Sequence, residues 1–166
     1  CKASRSTGFE LIVVDNASTD GTGDMLSGMT KRYPELQVIF NEENYGVAGG
    51  RNIGWRATSR EFILNIDDDT RIGEKEIAAL YEEAIERPDV GVIGPRIIHA
   101  ISGIAQCDHG QEEGQPANFH GACHLVRRDT YVKVGDIDNA CSFGGEELDY
   151  SIRVRAAGGT ILYTPR

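Results

Sequence analysis

Apolar and polar positions follow one another in short blocks along this chain, and the blocks predict alternating strands and helices. Phe9 to Val14 is a β-rich apolar run closed by Asp15-Asn16, the signature of a short buried strand. Ser18 to Thr22 is a loop and helix-cap cluster. A helix follows from about Gly23 to Arg32 and ends before Pro34, because the residue preceding a proline avoids helical geometry. Val38-Ile39-Phe40 forms a second strand and Asn41 to Tyr45 a polar loop. Gly46 to Ser59 reads as a helix with a small inner face of Ala48, Gly49, Gly50, Gly54 and Ala57, which lets its backbone approach a neighbour closely. Phe62 to Ile66 is a third strand, running into Asp67-Asp68-Asp69.

The clearest helix is Glu74 to Glu86, where Ile77, Leu80, Tyr81, Ala84 and Ile85 trace one apolar face. Val90 to Ile98 is a fourth strand interrupted by Gly94 and Pro95, and Ser102 to Asn118 has no period and reads as a long functional loop. Gly121 to Val126 reads as a short strand, Arg128 to Val134 as a short helix or turn, Glu146 to Ala157 as a helix opened by Gly144-Gly145, and Ile161 to Tyr163 as a last strand. Strands alternating with helices make an α/β fold with a mostly parallel sheet. Ligands in such sheets bind beyond the carboxyl ends of the strands. That rule expects Asp15 and Asp67 to Asp69 near one another.

Composition narrows the chemistry. The 166 residues amount to one domain, and 40% hydrophobic content supports a core. A net charge of -9 argues against nucleic acid as a partner. It does not exclude a phosphorylated small ligand, because a bound cation reverses the local sign. No apolar run approaches the roughly 20 residues a membrane span needs, and no signal peptide is visible. Cys1, Cys107, Cys123 and Cys141 contain no Cys-x-x-Cys pair; they read as free thiols of a reducing compartment. The chain starts without Met, close to a strand, and stops just after one; the expectation is a single domain over 1–166, truncated at both ends.

The acidic run carries the strongest chemical signal. A buried strand delivers Asp67, Asp68 and Asp69 in succession. Such a run calls for compensation by a hard cation, Mg2+ or Mn2+, which takes one or two carboxylates and completes its shell with water and phosphate oxygens. In extended chain Asp67 and Asp69 would share a side and Asp68 would face elsewhere. A haloacid-dehalogenase phosphatase fits less well, since Arg71 stands where that pattern wants Thr or Val.

Four blocks in order carry a family resemblance: Val13-Val14-Asp15-Asn16-x-Ser18-x-Asp20-Gly21-Thr22; Asn44-x-Gly46-x-Ala48-x-Gly50-Arg51-Asn52-x-Gly54; Leu64-x-x-Asp67-Asp68-Asp69-Thr70; and Gly145-Glu146-Glu147-Leu148-Asp149-x-x-x-Arg153 with Ala157-Gly158. Together they resemble the family 2 glycosyltransferases. The resemblance implies a GT-A fold, a Rossmann-like three-layer sandwich with a mostly parallel mixed sheet. It implies an inverting transferase that moves a sugar from a nucleotide-diphosphate donor, UDP- or dTDP-linked, to a hydroxyl acceptor with Mn2+ or Mg2+. Asp15 would contact the nucleotide base, Asn16 would join the nucleotide-sugar-binding set, Arg51 would lie by the nucleotide and Asp68 would meet the ribose. Asp69 would hold the metal, with Asp67 assisting. Glu147 would be the general base where the family's commoner pattern has Asp, with Glu146 in reserve.

The acceptor would be a saccharide, a lipid-linked sugar or a protein, as in polysaccharide and cell-envelope synthesis, in the cytoplasm or at the cytoplasmic face of a membrane through parts outside this chain. The family's usual first strand has no counterpart before Cys1, and its late metal-ligating His would fall beyond Arg166. His99, His109, His120 and His124 read as structural or surface residues and Trp55 as packing. The alternative is a non-catalytic module of the same fold that binds nucleotide sugar or a partner. A sugar nucleotidylyltransferase is disfavoured because Asn16 to Thr22 lacks Lys and Arg.

Overall fold

A computed structural model of the chain describes residues 8–106, 112–141 and 144–165; Cys1, Cys107 and His109 lie outside them. The elements run β1 (Leu11–Asp15), α1 (Thr22–Arg32), β2 (Leu36–Phe40), α2 (Gly46–Arg56), β3 (Phe62–Ile66), α3 (Glu74–Glu86), β4 (Val90–Pro95), β5 (Ile97–Ile98), β6 (Ala105–Gln106), β7 (Cys123–Arg127), α4 (Arg128–Val134), α5 (Glu146–Ala156) and β8 (Thr160–Thr164). Every strand and helix that the hydrophobic pattern predicts is present. They fall into two compact units: the described residues of Cys1–Ser59 with Ile137–Phe143, and those of Arg60–Asp136 with Gly144–Arg166.

In the first unit β1 and β2 pair in parallel, from Leu11 beside Leu36 to Asp15 beside Phe40. The small face of α2 lies against β1. A Cβ on Gly54 would stand 3.4 Å from Val14 Cγ2, and one on Gly50 3.5 Å from Asn16 Nδ2. Trp55 is buried, which makes it packing. Asn52, also buried, brings the distant segment at Ile137 into this unit. Its Oδ1 accepts from the Ile137 amide at 2.8 Å, and its Nδ2 donates to the Ile137 carbonyl at 2.8 Å and to Asn139 Oδ1 at 3.1 Å. A side-chain amide satisfies both backbone groups of one residue in the interior, where leaving them unpaired costs stability.

The second unit holds a mixed sheet in the order β3-β7-β4-β8. β7 runs antiparallel to β3 and β4, while β4 and β8 are parallel. Its core joins Leu80 and Ala84 of α3 to Val90, Ile93, Cys123, Leu125 and Leu162 of the sheet, each large side chain contributing about 1.5–3 kcal/mol on burial. Arg127 closes the C-terminal end of α3, donating to the carbonyls of Ala84, Arg87 and Val90 while its guanidinium lies over the Phe62 ring. Carbonyls that end a helix lack intrahelical partners, and this cation supplies them.

Three features depart from the expected pattern. The buried stripe of α3 is Leu80, Glu83 and Ala84; Tyr81 and Ile85 are exposed. Glu83 is tolerated inside because Arg87 Nε pairs with it at 2.8 Å. The apolar run Val90 to Ile98 is split: β4 ends at Pro95, and Ile97–Ile98 leaves the sheet to form a hairpin with Ala105–Gln106, inside the segment expected to be loop. The later part of that segment is pinned: Gly114 bridges to Tyr163, and Arg155 donates to the carbonyls of Pro116 and Ala117. Among the described residues no helix is long and apolar enough to cross a membrane.

Candidate functional site

In the first unit the site is built at the carboxyl end of β1. The Asp15 side chain is buried, and its Oδ1 accepts from the Ser18 amide at 3.1 Å. Its Oδ2 occupies the space beside Gly23 in the first turn of α1, where a Cβ would come within 3.4 Å. The positive end of the helix dipole makes that a favourable place for a buried carboxylate. Between them Ala17 adopts φ 64°, alone among the described non-glycine residues, a conformation that costs an L residue energy. Strain of this kind concentrates at functional turns. Asp20 accepts from both the amide and the hydroxyl of Thr22, and these bonds hold its carboxyl below the ordinary value.

Asn16 turns the other way. Its Nδ2 donates to Asn44 Oδ1 at 2.8 Å and to the Gly46 carbonyl at 3.0 Å, and its Oδ1 accepts from Asn41 Nδ2 at 3.0 Å and the Tyr45 amide at 3.1 Å. All four bonding positions of the amide are thereby engaged within the protein, tying the end of β1 to the loop that opens α2. The sequence names Asn41 to Tyr45 only as a polar loop and does not tie it to Asn16; the clustering of Asn41 and Asn44 there was the available signal. Arg51 is half-buried on α2. An open cleft of about 380 Å³ lies over Ser18, Thr19, Gly23, Asp24, Ser27 and Phe40.

In the second unit Asp67 to Asp69 follow β3. The Asp67 amide donates to the Ala122 carbonyl at 2.9 Å, and the Thr70 amide closes a turn onto the Asp67 carbonyl at 3.0 Å. The three carboxylates therefore sit on a turn, which corrects the extended-chain argument for which of them share a side. Asp68 and Asp69 are exposed and Asp67 is half-buried, 3.4 Å from Asn65 Nδ2. Cys123 lies beside this turn on β7; burial and the nearby Asp67 charge push its thiol up to about 11.

His124 is buried with Nδ1 3.2 Å from the His120 and Gly121 carbonyls, so Nδ1 carries the proton, and its ring packs on Phe119. His120 Nδ1 accepts from the Ala122 amide at 3.1 Å. Both serve the local structure. Among the described residues no three His, Cys, Asp or Glu side chains are grouped to hold a metal. One or two carboxylates of an exposed turn could still serve a hard cation that takes its other ligands from phosphate and water.

Glu146 and Glu147 open α5 behind Gly144 (φ 80°) and Gly145 (φ 91°), left-handed positions that glycine fills without steric cost. Glu146 is buried and Glu147 half-buried. Asp149, the last acid of that block, pairs with Arg153 at 2.8 Å, and Arg153 also lies over the Tyr150 ring. The Asp-x-x-x-Arg spacing is thus a helix brace.

Asp15, Asn16 and Arg51 belong to the first unit; Asp67, Asp68, Asp69, Glu146 and Glu147 belong to the second.

Against known proteins, the sequence profile described as Glycosyl transferase family 2 matches residues 2–106. Glycosyltransferase GlyG of Streptococcus pneumoniae is 31% identical over 86 residues, 52% of this chain and 29% of that protein. The N-acetylglucosaminyl-diphospho-decaprenol L-rhamnosyltransferase of Mycobacterium tuberculosis is 25% identical over 198 aligned positions, covering 93% of this chain and 64% of its own length. The chain thus spans less than two thirds of either relative. Among solved structures, GalNAc-T7 with UDP, GalNAc and Mn2+ superposes with a TM-score of 0.76 at 15% identity, over 94% of this chain and 36% of that one. The mannosyltransferase PcManGT from Pyrobaculum calidifontis, with GDP-Man and Mn2+, gives 0.74 at 19%, over 94% and 45%. The fold is that of the GT-A glycosyltransferases.

Proposed function

The chain belongs to glycosyl transferase family 2, and from that premise we propose that it transfers a sugar from a nucleotide-diphosphate donor, UDP- or dTDP-linked, to a hydroxyl acceptor with inversion at the anomeric carbon. The observation that carries the reading is the carboxylate turn Asp67–Thr70 at the end of β3, inside the matched residues. Asp69 and Asp67 are the residues to hold Mn2+ or Mg2+, and Asp68 the one to meet the ribose. When bound there, the cation neutralises charge on the departing diphosphate. Asp15 and the cleft beside it receive the nucleoside, with Arg51 by the nucleotide. Asn16 braces the loop that shapes this end of the first unit.

In the transfer the acceptor oxygen bonds to the anomeric carbon as the bond from that carbon to the diphosphate oxygen breaks, and the diphosphate leaves with the bonding electrons. Glu147 takes the hydroxyl proton as general base. It is the more accessible of the two glutamates, while the buried Glu146 supports the first turn of α5. The relative that acts on a diphospho-decaprenol sugar supports a lipid-linked acceptor, with cell-envelope synthesis as the setting; saccharide or protein acceptors fit the same chemistry. We place the reaction in the cytoplasm or at the cytoplasmic face of a membrane.

Calorimetric titration of UDP, dTDP and GDP with and without Mn2+ tests the reading. Binding of UDP or dTDP that requires Mn2+ and is lost in Asp69→Asn is expected; donor binding unchanged in Asp69→Asn would sink the metal assignment. Glu147→Gln should bind donor normally and lose transfer by about 100-fold or more. Binding without turnover in the native chain would identify a non-catalytic module of the same fold.

A further inference from the structure

A small notch opens in the second unit at the carboxyl ends of the parallel strands β4 and β8. Pro95, Pro116, Phe119 and Tyr163, all buried, wall it, and the half-buried Asn118 and His120 supply its polar groups. Its volume of about 10 Å³ is room for one water-sized group. The walls are fixed from outside the notch. Tyr163 exchanges both of its backbone hydrogen bonds with Gly114, at 2.8 and 3.2 Å, and Arg155 donates to the carbonyls of Pro116 and Ala117. The notch is therefore formed before anything enters it, which removes an ordering cost from binding.

Local structure uses only half of each polar side chain. His120 Nδ1 accepts from the Ala122 amide at 3.1 Å, so the neutral ring carries its proton on Nε2, a donor. Asn118 Nδ2 donates to the Phe119 carbonyl at 3.2 Å, which leaves Oδ1 as an acceptor. Neither His120 Nε2 nor Asn118 Oδ1 has a hydrogen-bond partner among the described residues. The Ala122 carbonyl in turn accepts from the Asp67 amide, so two hydrogen bonds lead from the His120 ring to the carboxylate turn of the same unit. The chemistry of the notch selects its occupant. A cation meets a proton rather than a lone pair at Nε2, and an anion is opposed by Asp67 to Asp69 in a chain of net charge -9. A single hydroxyl donates and accepts at once, so it satisfies both side chains. Flat proline and aromatic walls suit the C–H face of the ring that bears it.

We propose that this notch seats one hydroxyl of a saccharide beside the carboxylate turn, with His120 Nε2 donating to its oxygen and Asn118 Oδ1 accepting from it. The proposal rests on the transferase reading for the role of that sugar, the acceptor's or the donor's. The binding itself needs neither nucleotide nor metal.

NMR titration of the chain with glucose, galactose, mannose and N-acetylglucosamine, without nucleotide, tests it. At least one of them should shift the His120 ring resonances saturably. His120→Asn keeps an acceptor for the Ala122 amide but removes the outer donor, and should weaken that binding about three- to tenfold. Asn118→Ala should weaken it alike, and His120→Gln, which restores an outer donor, should retain it. The backbone spectrum of each variant should show it folded. No shift at His120 with any of the four sugars, or a His120→Asn variant that binds like native, would overturn the proposal. Titrations of UDP-glucose and UDP with Mn2+ separate the two sources. A loss in His120→Asn for UDP-glucose but not for UDP gives the notch to the donor's sugar, and a loss for the free saccharide alone gives it to the acceptor's. Failure of UDP to bind the native chain would strike the transferase reading and leave the saccharide result standing.

Discussion

Asn52 looks like an ordinary polar position within a glycine-rich helix, yet it is buried and pairs with both backbone groups of Ile137. Removing its amide leaves an interior N–H and C=O unsatisfied, so Asn52→Ala should cost about 2–3 kcal/mol in urea unfolding. Cys123 is the residue to watch as pH rises. Its ordinary value is 9.0 and burial beside Asp67 raises it to about 11. The unfolded chain therefore gives up this proton first. The contribution is intact below pH 9.0 and is lost as the pH rises towards and through about 11. Comparison of native and Cys123→Ala unfolding across that window should show the native protein losing on the order of 2 kcal/mol more. The candidate residues were named from the sequence: Asp15, Asn16, Arg51, Asp67 to Asp69, Glu146 and Glu147. The work each does locally was not, because burial and hydrogen bonding set it. Asn16 proved fully engaged within the protein, Glu146 lies in the interior, and Ala17 carries a backbone strain that no alanine announces.

At the scale of elements, α3 separates periodicity from packing. Its apolar positions predict one face including Tyr81 and Ile85, but a helix in contact with a sheet buries a narrower stripe, and Leu80 with Ala84 occupies it. Leu80→Ala should therefore cost about 2–5 kcal/mol, while Ile85→Ala should change stability by less than about 0.5 kcal/mol; thermal denaturation of the two variants checks the difference. The order of strands and helices needed only period and punctuation, since Pro34, Gly46 and the Gly144-Gly145 pair mark element ends in the sequence itself. Strand direction was less legible. β7 enters antiparallel between β3 and β4, and hydrophobic runs look alike whichever way a strand points. The β5–β6 hairpin escaped for a related reason: two-residue strands carry too little period to register.

Across the whole molecule, a net charge of -9 opposes a diphosphate ligand unless a cation is bound with it. A thermal-shift series should accordingly show UDP without effect in the presence of EDTA. With Mn2+ and UDP at about 100 times its Kd, stability should rise by about 2.7 kcal/mol; an equal rise in EDTA would contradict a metal-bridged site. The family and the α/β class were carried by the chain alone, because ordered motif blocks and hydrophobic period are properties of neighbouring residues. Tertiary structure decided what depends on residues far apart. Asn52 recruits Ile137 across 85 positions to the first unit, and the Ala122 carbonyl anchors the turn that presents Asp67 to Asp69. Burial, register and the partners of a polar group are fixed only when distant segments pack together, and no local pattern encodes them.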